Sequence, residues 1–193
     1  VGKIDNVEKA ISSEWKNIND QIWVIGSYKS ETTIAASSYL EYFHGEITGR
    51  PPKINLMDEK FCQDFLRNAI LKNFIISSHD ISDGGLAIAL AEACILSKKG
   101  AKIELQKDLN REDNVLFAEG GSRIIFSVNK NKETEWLNYL KINQINSQSS
   151  VYVKKIGYVS GETLKIKIKD KNICNIKVEE LTEKFNNSIS GNF

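Results

Sequence analysis

The chain has 193 residues, 41% of them hydrophobic, with 26 basic and 25 acidic side chains and a net charge of +1. That composition suits a globular chain with one or two small cores and argues against disorder across its body. There is no strong field to draw nucleic acid or an anionic membrane, no apolar run near the ~20 residues that span a bilayer, and no Cys spacing typical of a disulfide framework or zinc site.

The three scattered cysteines, Cys62, Cys94 and Cys174, fit a reducing, cytoplasmic compartment. The opening VGKIDNVEKA has neither a signal-like apolar centre nor an initiating Met, and it suggests a fragment of a longer polypeptide. Gln21 to Gly26 (QIWVIG) reads as a buried strand closed by glycine. From Ser37 to Phe43, Tyr39, Leu40, Tyr42 and Phe43 recur at helical spacing, with His44 as a C-terminal capping partner. The next stretch, GEITGRPPKIN, holds Gly49 and the only prolines, Pro51 and Pro52. They cannot sit inside a regular element, so a domain edge is expected there, dividing 1–50 from 51–193.

Met57 to Asn73 is predicted as a helix with Phe61, Phe65, Leu66, Ala69 and Ile70 on one face and Asp58 as its N-cap. A strand over Ile75 to Ser78, a helix over Gly84 to Lys98 and a strand over Ala101 to Leu105 follow. Leu116 to Val128 carries the turn AEGGSR and the strand RIIFSV, and Glu133 to Leu140 is predicted helical. Val151 to Val159 and Leu164 to Ile168 read as hairpin-like strands joined by SGET; another strand covers Ile173 to Val178, and a terminal helix covers Glu179 to Ile189 before a frayed SGNF tail. The lysines of LKIKIKDK alternate with apolar residues, a period that places them on one solvated strand face and at a charged edge. This alternation predicts an α/β (α+β) layered domain with a mixed sheet.

Two stretches could carry chemistry. In HDISDGG, Asp80, Ser82, Asp83, Gly84 and Gly85 lie between a strand and a helix. Ser82 or Asp83 suits the N-cap, and the glycines could turn backbone donors toward a phosphate at the positive helix end. The same residues equally build a joint that binds nothing. His79 reads as a hydrogen-bonded structural residue. In LFAEGGSR, Glu119, Gly120, Gly121, Ser122 and Arg123 enter a buried strand; Glu119 and Arg123 could meet one ligand or pair with each other. The common nucleotide-loop, nucleophile-elbow and metalloprotease motifs are not present, so a self-sufficient enzyme is not expected and no catalytic or metal-ligating residue is assigned.

SSHDISDGGLAIALAEACI and LFAEGGSRIIFSV, with VGKIDNVEKAISSEWK, IWVIG and YLEYFHGEITGRPPKIN ahead of them, resemble the C-terminal portion of the phosphoribosylformylglycinamidine synthase large subunit, in the aminoimidazole ribonucleotide synthetase-related superfamily. The likeness covers nearly the whole chain and fades after about Ile168. Thiamine-monophosphate kinase, selenophosphate synthetase and aminoimidazole ribonucleotide synthetase have related glycine motifs, but LFAEGGSR together with GRPP is not expected in them.

The resemblance implies a C-terminal-type domain over 51–193, preceded by the tail of the second ATP-binding N-terminal-type domain over 1–50. It implies a purine-biosynthetic ligase in which ATP and Mg²⁺ phosphorylate the amide oxygen of formylglycinamide ribonucleotide and ammonia displaces the phosphate. The implied partners are the remaining domains of the synthase, a glutaminase subunit supplying ammonia and the small ribonucleotide substrate, with no nucleic acid and no membrane. The family's active-site histidine lies upstream of Val1, so the isolated chain is expected to be inactive. Its substrate-contacting Glu-Ser-Gln is matched by Glu119, Gly120 and Gly121, which removes the Ser and Gln donors and acceptors. This copy is expected to border an auxiliary nucleotide site or to buttress the assembly.

Overall fold

The computed structural model describes residues 4, 6–27, 30–106, 111–146 and 150–190. Its elements are β1 (Gln21–Ser27), α1 (Ser38–His44), α2 (Leu56–Leu71), β2 (Ile75–Asp80), α3 (Gly85–Ser97), β3 (Ala101–Leu105), α4 (Glu112–Phe117), β4 (Ile124–Val128), α5 (Glu133–Asn146), β5 (Val151–Val159), β6 (Thr163–Ile168), β7 (Lys171–Lys177) and α6 (Val178–Ser190). The strands form one seven-stranded mixed sheet in the order β2-β4-β1-β5-β3-β6-β7. Neighbours are antiparallel except β3 and β6, which are parallel.

Helices cover both faces of the sheet, which makes it an α/β sandwich of three layers. Every residue of β1 is buried because its alternate side chains enter different cores. Ile22 and Val24 pack with Leu86, Leu90 and Ala93 of α3, Leu116 of α4 and Val178 of α6. Trp23 and Ile25 point the other way, toward Cys62, Phe65 and Leu66 of α2 and Trp136 and Leu140 of α5. Trp136 is wholly buried there, with the rings of Trp23, Phe65, Phe74 and Phe126 between 5.5 and 6.4 Å away.

The sheet uses residues from both sides of the Gly49–Pro52 stretch, because β1 lies between β4 and β5. β1 is therefore not an edge strand; the edges are β2 and β7. Exposed apolar side chains do occur before Gly49, at Tyr42, Phe43 and Ile47. The Pro-rich stretch is surface coil tied down by backbone bonds from Ala36 N–H to the Thr48 carbonyl and from Glu31 N–H to the Lys53 carbonyl.

β5 and β6 do not pair with each other, because β3 lies between them; the tight hairpin is β6–β7. Leu164, Ile166 and Ile168 of β6 are buried while Lys165 and Lys167 face water, as their alternation predicts. β6 is nevertheless an interior strand, so its lysines guard no edge. Asn55 caps α2, its side-chain oxygen accepting from Asp58 N–H at 3.0 Å. Asp58 instead lies in the first turn, buried, and accepts bonds from the Ser27 and Ser150 hydroxyls. α4 is an element that the sequence reading did not contain. The expected tail beyond α6, residues 191–193, lies outside the described residues. Among the described residues no helix is long and apolar enough to cross a membrane.

Candidate functional site

The two glycine-containing corners lie side by side. Ile81 N–H, just past β2, donates to the Arg123 carbonyl at 3.0 Å, so the chain leaves β2 where it enters β4. Glu119 joins the corners through its side chain: Oε1 accepts from Gly84 N–H at 2.8 Å and from Ser38 N–H at 2.9 Å. Those donors begin α3 and α1, so one carboxylate oxygen stands at the positive ends of two helices. The Glu119 backbone exchanges two hydrogen bonds with Thr33, which fixes the side chain's direction.

Gly84 is the N-cap of α3 in the left-handed region, with no capping bond from its own side of the chain. This corrects the assignment of Ser82 or Asp83 as the cap: both are exposed, and the carboxylate that serves the helix start comes from Glu119, 35 residues on. Gly85 is also left-handed, at φ 69°, and its N–H donates to the Ser82 carbonyl. A Cβ on Gly85 would meet the backbone of Leu116, Phe117 and Ala118 at 2.7–2.8 Å. The glycine therefore permits α3 and α4 to approach closely. Gly120 packs against the Glu31 carbonyl and Gly121 against the Ile54 side chain.

Glu119 and Arg123 do not pair. Arg123 points the other way, and its Nη1 donates to the Ala118 carbonyl at 3.1 Å. The guanidinium is buried, and desolvation holds its pKa below the usual arginine value. Ser122 Oγ donates to Glu59 Oε2 at 2.6 Å and lies 3.3 Å from Ser30 Oγ, which in turn accepts from Asn55 N–H. The start of α2 is thereby tied to the second corner. Sequence reasoning missed Glu59 and Ser30; Glu59 gave only the weak signal of an acidic residue in a first helical turn.

Asp80 is the exposed last residue of β2 rather than part of the turn. His79 Nε2 is 2.8 Å from Glu92 Oε2, and its Nδ1 is 3.4 Å from Asp80 Oδ1, so the imidazole bridges β2 and α3 as a structural residue. His44 does not close α1; that helix ends at Gly45, whose N–H bonds the Glu41 carbonyl. Beside the corners opens a cleft of about 680 Å³, with Val24, Tyr152, Lys154 and Ile156 on the sheet, Leu86 from α3 and Asn114 and Val115 from α4. Of the ten residues singled out in the two motifs, Arg123 is the one that lines it.

Residues 17–168 match the family described as AIR synthase related protein, C-terminal domain, and the chain belongs to it. Along all 193 residues it is 85% identical to the phosphoribosylformylglycinamidine synthase subunit PurL of Prochlorococcus marinus strain MIT 9312, spanning 25% of that protein's length. The resemblance drawn from the two motifs is thus to the right subunit. Its fold is that of T. maritima PurL, solved in complex with FGAR, at a TM-score of 0.70 and 14% identity, over 91% of this chain and 30% of that one. T. maritima PurL complexed with ATP superposes at a TM-score of 0.68 with 12% identity, over 91% and 28% of the two chains.

Proposed function

We propose that this chain is one lobe of an ATP-dependent carbon–nitrogen ligase of purine biosynthesis, a phosphoribosylformylglycinamidine synthase, and contributes no complete catalytic centre of its own. The observation that carries this reading is 85% identity over the whole chain to a PurL that is four times longer. In the proposed reaction ATP phosphorylates the amide oxygen of formylglycinamide ribonucleotide, with Mg²⁺ neutralising the phosphates, because the unactivated oxygen is a poor leaving group. Ammonia from a glutaminase subunit then attacks the imidate carbon, and phosphate departs to leave the amidine.

Within the lobe, Asp80, Ser82 and Asp83 form the exposed rim of the first corner, offered to the substrate, to a nucleotide or to a neighbouring domain. Gly84, Gly85, Glu119, Gly120, Gly121 and Ser122 hold that rim in place. A purely buttressing role has its own support: the Gly84 and Gly85 N–H groups are bonded within the chain, so they are not donors aimed at a phosphate.

The test compares the full polypeptide encoded by the gene with the 193-residue chain alone, by ADP release in the presence of ATP, Mg²⁺, ammonia and formylglycinamide ribonucleotide. Turnover by the long form and none by the short one is expected. ADP release by the chain alone, or none by the long form, ends the reading. In the full enzyme, Ser82→Ala with Asp83→Ala is expected to raise KM for ATP or the ribonucleotide about tenfold with little change in kcat. Unaltered constants would leave the corner as a joint.

A further inference from the structure

One half of the sheet has a face that no helix of the described chain covers. On the side packed by α2 and α5, the core draws on β1, β2, β4 and the start of β5, and no residue of β3, β6 or β7 belongs to it. The register places what stands on that open half. Lys102 of β3 lies beside Lys165 of β6 and Glu104 beside Lys167, while Ile103 and Ile166 between them turn into the opposite core. On the flanking strands Tyr158 of β5 is the partner of Lys102, Asn175 of β7 that of Lys165, and Lys177 that of Thr163. The four lysines are exposed, as are Glu104, Tyr158 and Asn175.

Solvation alone does not call for this arrangement. Lys165 and Lys167 guard no edge, since β6 is an interior strand. Like charges directly opposite one another on neighbouring strands destabilise a sheet, and Lys102 and Lys165 are such a pair. Alternate residues of one strand stand about 6–7 Å apart, so Lys165 and Lys167 repel each other inside the ~8 Å screening length of physiological salt. Among the described residues no carboxylate forms an ion pair with any of the four ammonium groups; Lys102 Nζ instead stands 5.8 Å from the centroid of the Tyr158 ring. Glu162 and Asp170 lie in the turns at the two ends of β6, which leaves Glu104 as the carboxylate among the lysines. The chain as a whole is close to neutral at +1, so this face is a local excess of positive charge.

From this arrangement we infer that the open face of β3, β6 and β7 docks an acidic, extended peptide segment of a partner protein, its carboxylates on Lys102, Lys165 and Lys167. Charge selects the occupant. A second copy in a symmetric pair would bring lysines against lysines. Nucleic acid calls for several stacking rings and favours arginine, whereas this face offers one ring and no arginine, on a chain with no net field to attract a polyanion. Carboxylates at alternate positions of an extended peptide recur every 6–7 Å or so, the same period as Lys165 and Lys167, and the Asn175 amide adds a donor beside them. The inference uses only residues of this chain and does not depend on the ligase reading.

The experiment is a ¹H–¹⁵N titration of the 193-residue chain with hexaglutamate and, in parallel, hexauridylate at the same ionic strength. Saturable shifts at the amides of Lys102, Tyr158, Lys165 and Lys167 are expected with hexaglutamate, at an affinity above that for hexauridylate. Lys165→Glu with Lys167→Glu should weaken hexaglutamate at least about tenfold. Lys72→Glu with Lys141→Glu makes the same change of net charge at exposed positions on α2 and α5 and should weaken it less than about twofold. Lys165→Arg with Lys167→Arg should bind like the parent chain. If the charge-reversed β6 variant does not fold, Lys165→Gln with Lys167→Gln decides in its place. The inference fails if those amides show no saturable shift, if the two charge-reversed variants weaken binding equally, or if hexauridylate binds as tightly. It also fails if the same amides move with protein concentration alone, which would assign the face to a second copy. Because no ATP turnover is measured, failure here leaves the ligase reading standing.

Discussion

Glu119 concentrates more structure than any other single side chain at the corners, since one of its oxygens accepts the first N–H groups of two helices. Glu119→Ala strips both and is expected to destabilise the chain by about 1–3 kcal/mol, while Glu119→Gln keeps an acceptor and should cost about half as much, read by urea denaturation. Gly85 offers a sharper contrast. Gly85→Ala forces a Cβ into the Leu116–Ala118 backbone at a left-handed φ and should cost about 3 kcal/mol or more, whereas Gly45→Ala, with a similar φ and open space, should cost about 1 kcal/mol. Equal losses in the two variants would mean that helix approach is not what fixes Gly85. The buried thiols give a pH dependence. Burial pushes Cys62 and Cys94 up to about 12 from an ordinary value of 9.0. A pKa raised in the folded state gives stability that is fully present below the unfolded value and lost as pH rises through the folded one. Stability should therefore fall from about pH 9 toward about pH 12, and the fall should be shallower in a Cys62→Ala, Cys94→Ala chain. Both thiols should also resist iodoacetamide at pH 8 until denaturant is added, as mass spectrometry would record.

At the scale of elements, local pattern revealed most strands and helices, and pairing revealed itself least. QIWVIG was readable as a buried strand because the five apolar or small residues after Gln21 suit burial on both faces. Nothing local could say that β3, from the middle of the chain, would insert between β5 and β6. A short connection such as SGET favours a hairpin, and here a more distant strand with its own apolar face took the place. α4 escaped notice because REDNVLF is brief and half polar, and its helical state depends on packing against α3. The cap of α3 escaped for a related reason: its acceptor is contributed across space, while capping rules search adjacent positions. Of the candidate site, the residues were legible and their directions were not: the spacing allows Glu119 and Arg123 to meet one ligand or each other, and the fold turns them apart. The lysine face of β6 allows a test of the alternation itself. Lys165→Glu with Lys167→Glu, both on the exposed face, should change stability by no more than about 0.5 kcal/mol, whereas Ile166→Ala between them should cost about 2–5 kcal/mol.

For the molecule as a whole, two cores share one sheet, and Trp23 and Val24 on a single strand serve one core each. Loosening β1 should therefore loosen both, and the chain is expected to unfold in one transition with coincident fluorescence and far-ultraviolet midpoints. The exposed Tyr42, Phe43, Ile47, Ile54, Leu56 and Met57 all fall within sixteen positions around the Pro-rich coil. Self-association that rises with concentration, followed by sedimentation, is the expected behaviour of the isolated chain.

The interior place of β1 decides where this polypeptide tolerates scission. A protease nick between Arg50 and Pro51 falls in exposed coil, yet it would divide an interior rung of the sheet from its neighbours on either hand. The halves 1–50 and 51–193 should stay clasped after nicking and co-elute, and neither should fold when produced by itself; mixing them should restore the native spectrum, much as a key completes a lock.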